Sequence, residues 1–410
     1  MKTFEIPEFY RSPLISAIKH QRKINDRLKK DFNPTCLDFG QAKIYLARHF
    51  GFCYGVENAI EIAFKTVDEN PGKRIFLLSE MIHNPQVNAD LQKNGVGFVM
   101  DTQGNMLMQW DDLSREDIVI IPAFGTTLET EEKLKAIGIN PLTYNTTCPF
   151  VEKVWNRSEQ IGKKGYSIII HGKPGHEETR ATFSHSSHTS PSVVVKDLQE
   201  AKKLEKYIRK QASPKDFFEE FKGQYSIGFD PEKDFNRIGV VNQTTMLASD
   251  TQEISDFLKQ VIIQYYQLNE QHITDHFADT RDTLCYATND NQTAVREQLN
   301  TEADFAIVVG GYNSSNTSHL VELCEKKLPT YFIENEHNLI SAAEINHFDL
   351  HQQQTTLIKD YLPKKRPLNI LITSGASCPD AIVEHVIKRL ISLIQTDKSI
   401  EDLIAEFQTD

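Results

Sequence analysis

Apolar residues along this chain fall into two rhythms. Short runs rich in β-branched residues occur at 44–47, 74–79, 117–123, 166–171, 192–195, 237–241, 304–309, 330–333 and 368–373, and they have the length and composition of strands. Between them the spacing turns helical. Val56, Ala59, Ile60, Ala63 and Val67 recur at i, i+3, i+4, i+7 and i+11. Phe150, Val151, Val154, Trp155, Ser158 and Ile161 nearly repeat that series, and 381–394 reads as a strong helix. Strand, loop and helix in repeated succession predict an α/β chain of mostly parallel sheets covered on both faces. In such sheets ligands sit beyond the carboxyl ends of the strands.

Size and charge narrow the classes. A chain of 410 residues has room for two or three domains, each with its own core. The formal net charge of −12 argues against a nucleic-acid binder, whose footprint is basic. No apolar run approaches the roughly 18 residues needed to cross a bilayer, so no membrane partner is expected. Six cysteines in this length do not make a disulfide scaffold, and no secretory leader is evident, so a reducing, cytoplasmic location is expected.

Two regions read as additions. Residues 1–43 mix aromatic, basic and acidic side chains without strand character, and Glu5, Glu8, Asp26 and Asp31 make a poor organelle-targeting peptide. This segment reads as a bacterial extension packed on the body. The stretch at about 200–236 is rich in Lys and Glu and broken by Pro214 and Pro231, and reads as a solvated helical insertion. The chain then divides into the extension 1–43, a first lobe 44–148, a second lobe 149–284 carrying the insertion, a third lobe 285–378 and a C-terminal helical segment 379–410.

The thiols suggest a coarser repetition. Cys53, Cys148 and Cys285 each follow an apolar run and precede a helix, in the contexts GFCYG, TTCP and LCY. A helix N-terminus stabilises a thiolate, which suits nucleophiles and metal ligands alike. Cys36, Cys324 and Cys378 read as small buried hydrophobes. Structural zinc favours Cys pairs two to four residues apart, and no CxxC occurs. Three single thiols from three sub-domains fit an iron–sulfur cluster better. With three ligands, one iron is left open to bind substrate as a Lewis acid.

Other junctions are rich in hydrogen-bond donors. GGYNSSN at 310–316, TSGAS at 373–377 and NQTT at 242–245 each follow a strand. Backbone N–H groups and hydroxyls at helix heads form anion sites, although the same residues also serve as ordinary N-caps. Neither a GxxxxGK[ST] nor a GxGxxG loop is present. His83 stands in an IHNP turn, and HGKPGHEET at 171–179 ends a strand in a Gly/Pro loop with His176, Glu177 and Glu178. A carboxyl held near an anion and a metal suits proton donation.

Together these segments resemble the LytB/IspH family of 4-hydroxy-3-methylbut-2-enyl diphosphate reductases, the iron–sulfur enzymes that end the non-mevalonate isoprenoid pathway. The matching stretches are GFCYGV, IHNP, TTCPFVEKVW, HGKPGHEET, NQTT, LCYATNDNQTAV, GGYNSSNTSHL and TSGASCPD, in the family's order over about 44–395. The resemblance implies three pseudo-symmetric α/β lobes around a [4Fe–4S] cluster held by Cys53, Cys148 and Cys285. It implies that His83, His176, Ser314, Asn316 and Ser377 bind the diphosphate, with Ser315 in the same loop. Glu178 matches the family's proton donor, and Thr244 matches the Thr that organises the substrate hydroxyl. Reduced flavodoxin or ferredoxin is the implied electron donor.

One departure stands out. Short members of the family have an Ala-His-Gly motif where this chain reads Ala123-Phe124-Gly125. The longer branch, which shares the N-terminal extension and the insertion, resembles this chain in having Phe there. The implied activity is a two-electron, two-proton removal of an allylic hydroxyl that yields isopentenyl and dimethylallyl diphosphate. A quinolinate synthase-like enzyme is the nearest rival, but its Cys contexts do not match. A non-catalytic iron–sulfur redox sensor would have no use for an acid and a hydroxyl beside an anion clamp.

Overall fold

The computed structural model describes residues 4–278 and 283–409. From the N-terminus, α1 (Pro13–Asn25) leads into the antiparallel pair β1 (Thr35–Asp38) and β2 (Ala42–Leu46), then α2 (Tyr54–Glu69). Next come β3 (Ile75–Leu77), α3 (Pro85–Lys93), β4 (Val96–Phe98), β5 (Ile118–Ile120) and α4 (Leu128–Ile137). They are followed by α5 (Pro149–Gly162), β6 (Ser167–His171), α6 (Glu177–Thr189), β7 (Ser192–Val195), α7 (Leu198–Ile208), α8 (Pro214–Glu220), β8 (Ile238–Asn242) and α9 (Ala248–Tyr266). The last part holds α10 (Tyr286–Gln298), β9 (Phe305–Val309), α11 (Ser315–Glu325), β10 (Thr330–Ile333), β11 (Glu344–Asp349), β12 (Gln354–Lys359), β13 (Leu368–Ser374), α12 (Asp380–Ile394) and α13 (Ile400–Thr409).

The chain forms two compact units. One comprises Met1–Glu57, His83–Val87 and Tyr286–Asp410; the other comprises Asn58–Ile82 and Asn88–Cys285. The expected α/β architecture with mostly parallel sheets is the one observed. The first unit contains the five-stranded sheet β1-β2-β13-β9-β10, and the second contains two three-stranded sheets, β4-β3-β5 and β7-β6-β8.

The antiparallel pair β11–β12 stands apart as a fourth sheet, and one plan recurs in the other three. The earliest strand of each parallel core is central, the next lies on one side and the third on the other, as in β4-β3-β5, β7-β6-β8 and β10-β9-β13. A fourth extended segment then joins in parallel. Asn145 bridges Ile121 just past β5, Phe277 bridges Ile238 at the start of β8, and β2 runs beside β13. Cys148, Cys285 and Cys53 follow these three segments, and each immediately precedes a helix, α5, α10 and α2 respectively. The repetition suspected from the thiols is therefore a repetition of topology.

The strands β6, β8 and β9 are buried along their whole length, as parallel strands covered on both faces should be. The stretch from 44, placed by chain order at the start of the first lobe, supplies β2 to the sheet of β9, β10 and β13, with Ala42 opposite Leu368. Its pairing partner lies at the far end of the chain, beyond the reach of local pattern. β1, unexpected from the extension's composition, is the antiparallel edge of that sheet.

Two expectations are corrected. The charged insertion is helical but not simply solvated: Tyr207, Phe217, Phe221, Phe229 and Phe235 are buried in one aromatic cluster continuous with Ile169, Val193 and Ile238 of the sheet. Its Lys and Glu residues occupy the outer face, and the helical period hides the apolar one. Cys36 is exposed, whereas Cys324 and Cys378 are buried as expected. It alternates with buried Leu37 on the edge strand, so the pleat turns it outward.

Candidate functional site

In the second unit the site is built on the head of α6. His176 is its N-cap, and its Nδ1 accepts the backbone N–H of Glu178 at 3.1 Å. A ring that accepts at Nδ1 carries its proton on Nε2, which makes Nε2–H a donor suited to an anion. Glu178 is 1% exposed, and its carboxylate accepts from both the backbone N–H of Thr244 and the Thr244 hydroxyl, the latter at 3.0 Å. Thr244 belongs to the NQTT turn that leaves the carboxyl end of β8. The acid and hydroxyl singled out from sequence are thus in direct contact.

The residue between them in function was missed. Gln243 is fully buried, and its Oε1 accepts from the Lys173 N–H at 3.1 Å and the Thr179 hydroxyl at 2.9 Å. Its Nε2 donates to Thr245 Oγ1 at 2.7 Å. It laces the HGKPGHEET loop to the NQTT turn. Its neighbour Asn242 accepts from the Thr283 hydroxyl, two residues before Cys285. The signal was present in the sequence: an Asn-Gln pair between a buried strand and two threonines has more hydrogen-bonding capacity than its own turn can use.

Cys148 is the N-cap of α5, and its side chain makes no capping bond. Burial pushes its thiol up to about 12, opposed by the backbone N–H groups of Phe150 and Val151 and reinforced by the charges of Cys285 and Glu178. The thiol of Cys285 and the carboxyl of Glu178 therefore each lie within electrostatic range of Cys148. A thiol in such a place gives up its proton only to a metal or a strong base.

Phe124 packs its ring against His176 with centroids 5.6 Å apart and planes at 84°, an apolar wall beside the imidazole. Glu177 accepts from the Ser79 hydroxyl and lines a cavity of about 300 Å³ with Thr126, Lys133 and Arg180, among others. It helps fix the head of α6. His171 is buried, with Nδ1 2.8 Å from Thr251 Oγ1, a structural contact.

The first unit gathers two of the three donor-rich loops, 310–316 and 373–377. Ser377 Oγ donates to the His83 carbonyl at 3.1 Å, and a Cβ on Gly311 would stand 2.5 Å from that same oxygen. Only glycine lets the GGYN turn approach so closely. Ser314 is the N-cap of α11, its Oγ accepting from Thr317 N–H at 3.3 Å, so this hydroxyl does serve as an ordinary cap. Ser315 is buried in the first turn of the same helix. Asn316 Oδ1 accepts from the Ala376 N–H at 2.9 Å and lies 3.5 Å from Asn291 Nδ2. Its own Nδ2 is buried with no hydrogen-bond partner among the described residues. A buried unpaired donor is costly, and an acceptor placed beside it would remove that cost. Cys53 belongs to this unit, its N–H donating to the Ala376 carbonyl at 3.2 Å.

None of the six cysteines is in a disulfide bond. Among the described residues no group of three or more His, Cys, Asp or Glu side chains is close enough to hold a metal ion. The donor set otherwise suits an iron–sulfur group, since Cys53, Cys148 and Cys285 each stand directly before a helix, and none has a neighbouring Cys that would make a zinc pair.

Three mostly parallel sheets, each followed by a thiol at a helix head, together with a buried acid–hydroxyl pair, are the marks of an α/β enzyme. The sequence pattern described as LytB protein matches residues 44–391, and the chain belongs to that family. It is 40% identical over 354 residues to the 4-hydroxy-3-methylbut-2-enyl diphosphate reductase of Picosynechococcus sp., covering 86% of this chain and 85% of that one. It is 39% identical over 385 residues to the enzyme of the same name from Synechococcus sp. (strain ATCC 27144), covering 94% and 91%. Its fold is similar to the E-1-hydroxy-2-methyl-but-2-enyl-4-diphosphate reductase of Plasmodium falciparum, with a TM-score of 0.61 at 22% identity, covering 86% of this chain and 88% of that one. No helix among the described residues is long and apolar enough to cross a membrane.

Proposed function

We propose that this chain is the reductase its relatives are named for, removing the hydroxyl of (E)-4-hydroxy-3-methylbut-2-enyl diphosphate to give isopentenyl and dimethylallyl diphosphate. The balance is two electrons and two protons in, one water out. The observation that carries this reading is the buried Glu178–Thr244 pair within range of Cys148 and Cys285. A poor leaving group needs a proton delivered where the electrons arrive, and water-filled surroundings would supply neither control nor order.

Cys53, Cys148 and Cys285 would hold a [4Fe–4S] cluster, which supplies electrons and an open Lewis-acid iron when bound. The remaining work belongs to the chain. Thr244 N–H holds Glu178 Oε1; protonated on Oε2, Glu178 would give that proton to Thr244 Oγ1 as the Thr244 hydroxyl proton passes to the departing oxygen, which leaves Glu178 ionised and Thr244 neutral. His176 Nε2–H and the amide of Asn316, with His83, Ser314, Ser315 and Ser377, grip the diphosphate and fix the position of the allylic alcohol. Phe124 gives His176 an apolar backing. The three sheets of shared topology would be the three lobes, with α12 and α13 closing the chain. Reduced flavodoxin or ferredoxin would donate the electrons, and the enzyme would work in the cytoplasm.

The test is an anaerobic assay of the reconstituted chain with this diphosphate and a strong one-electron reductant. Formation of both five-carbon diphosphates is expected. No product from a chain loaded with iron and sulfide would sink the reading.

A further inference from the structure

The N-terminal segment is placed too specifically to be a passive addition. Phe4 and Tyr10 are each 3% exposed. Phe4 packs edge-on against Tyr54, with centroids 4.8 Å apart, and Tyr10 packs against Phe52 at 5.8 Å. Phe52 and Tyr54 are the two residues flanking Cys53. The segment therefore grips the thiol's loop from both sides.

A second set of contacts fixes the same loop from α12. Lys19, on α1, donates to both carboxylate oxygens of Asp380 at 2.8 Å and lies over the Phe50 ring at 5.0 Å. Asp380 opens α12 three residues after Ser377. A Cβ on Gly51 would collide with its carboxylate, so the Cys53 loop runs flush against the helix head. Cys53 N–H donates to Ala376 O at 3.2 Å, and Gly51 N–H donates to Ser374 Oγ at 3.1 Å. The buried Glu384 of α12 accepts from the Ser12 hydroxyl and from Leu14 N–H at 3.2 Å, which docks the start of α1 on the same helix.

We propose that residues 4–25 are a clamp on the Cys53 loop, in which Phe4 and Tyr10 hold the residues flanking the thiol and Lys19 locks the head of α12, with its Ser377 loop, against it. Lys19 is a positioning residue; it touches neither thiol nor substrate. The clamp's purpose rests on reading Cys53 as a cluster ligand. A ligand side chain must be held to within about 0.5 Å, and a loop cannot do that unaided.

Hydrogen–deuterium exchange on the full chain without its cluster tests the geometry. Lys19→Ala and Phe4→Ala are expected to speed exchange of the 50–55 amides about tenfold while leaving the β6–β8 sheet unchanged. Lys19→Arg, whose fork suits a carboxylate, is expected to restore protection. Unchanged exchange in both alanine variants overturns the clamp. On the reconstituted enzyme both alanine variants are expected to lose cluster absorbance in air about fivefold faster, whereas Lys19→Arg, which keeps the cation on Asp380, is expected to lose it at the parental rate. Faster exchange with an unaltered rate of cluster loss would overturn the purpose assigned to the clamp while leaving the contacts intact, and Cys53 as ligand is tested separately by the iron and sulfide bound by Cys53→Ser.

Discussion

The hydroxyl of Thr244 donates to the Glu178 carboxylate at 3.0 Å, with both side chains buried. Glu178→Gln keeps the shape and an acceptor oxygen for the Thr244 N–H, while the Thr244 hydroxyl turns to accept from the new amide, and the variant has no acidic proton to give. Turnover is expected to fall about 10²–10⁴-fold with substrate affinity nearly unchanged, because general acids contribute on that scale. Thr244→Ala should reduce turnover in the same direction. Full single-turnover rates in Glu178→Gln would remove the acid from the mechanism.

Cys148 caps α5 without using its sulfur for the cap. Cys148→Ser should fold, since the hydroxyl is a good N-cap, yet bind iron poorly because thiolate is the preferred ligand. Iron and sulfide per chain, measured anaerobically, should fall well below the parent with activity lost. Parental iron content in that variant would mean that Cys148 is no ligand.

Asn316 holds its Oδ1 on the Ala376 N–H and has a buried, unpartnered Nδ2. Asn316→Ala should weaken diphosphate binding by about 1.5–3 kcal/mol, the usual worth of a hydrogen bond to a charged group. Ser377→Ala should cost roughly 1 kcal/mol or more. Calorimetric titration with the product diphosphate measures both, and equal affinities for parent and Asn316→Ala would exclude that amide from the clamp on the anion.

His49 gives the protein an acid-sensitive point. Burial, then the charges of Arg48, Lys29 and Arg22, hold its pKa down at about 4, with Asp26 opposing. Its Nε2 is buried with no hydrogen-bond partner among the described residues. An unfolded His titrates near 6.5, so between these values the unfolded chain binds a proton that the folded chain refuses. The stability from neutral His49 is complete above about 6.5 and drains as pH falls toward about 4. His49→Gln should flatten the fall in urea midpoint across that window; an unaltered slope would assign the sensitivity to another group.

Much of the fold was legible because buried parallel strands announce themselves by unbroken apolar runs. The runs at 192–195 and 330–333 coincide with β7 and β10, and the others differ at their ends. The hairpin β11–β12 was not foreseen: the apolar residues of β12, Leu357 and Ile358, are adjacent rather than alternating and none of the strand is fully buried, so no apolar period marks it. The aromatic core of the insertion was masked by surrounding charge. Gln243 went unnoticed because its value lies in partners some 70 residues away.

Composition and motif order alone determined the α/β class, the family and the set of acid, hydroxyl, imidazole and thiol groups, because those depend on which residues are present and in what succession. The structure decided what pairing across long separations decides. It put β2 beside β13, gave three sheets one strand order with a thiol after each, set Thr244 on Glu178 and laid the N-terminal aromatics over the Cys53 loop. Local sequence fixes torsions and periodicity, whereas contacts between distant segments follow from which surfaces exclude water together, and no short stretch of sequence contains that information.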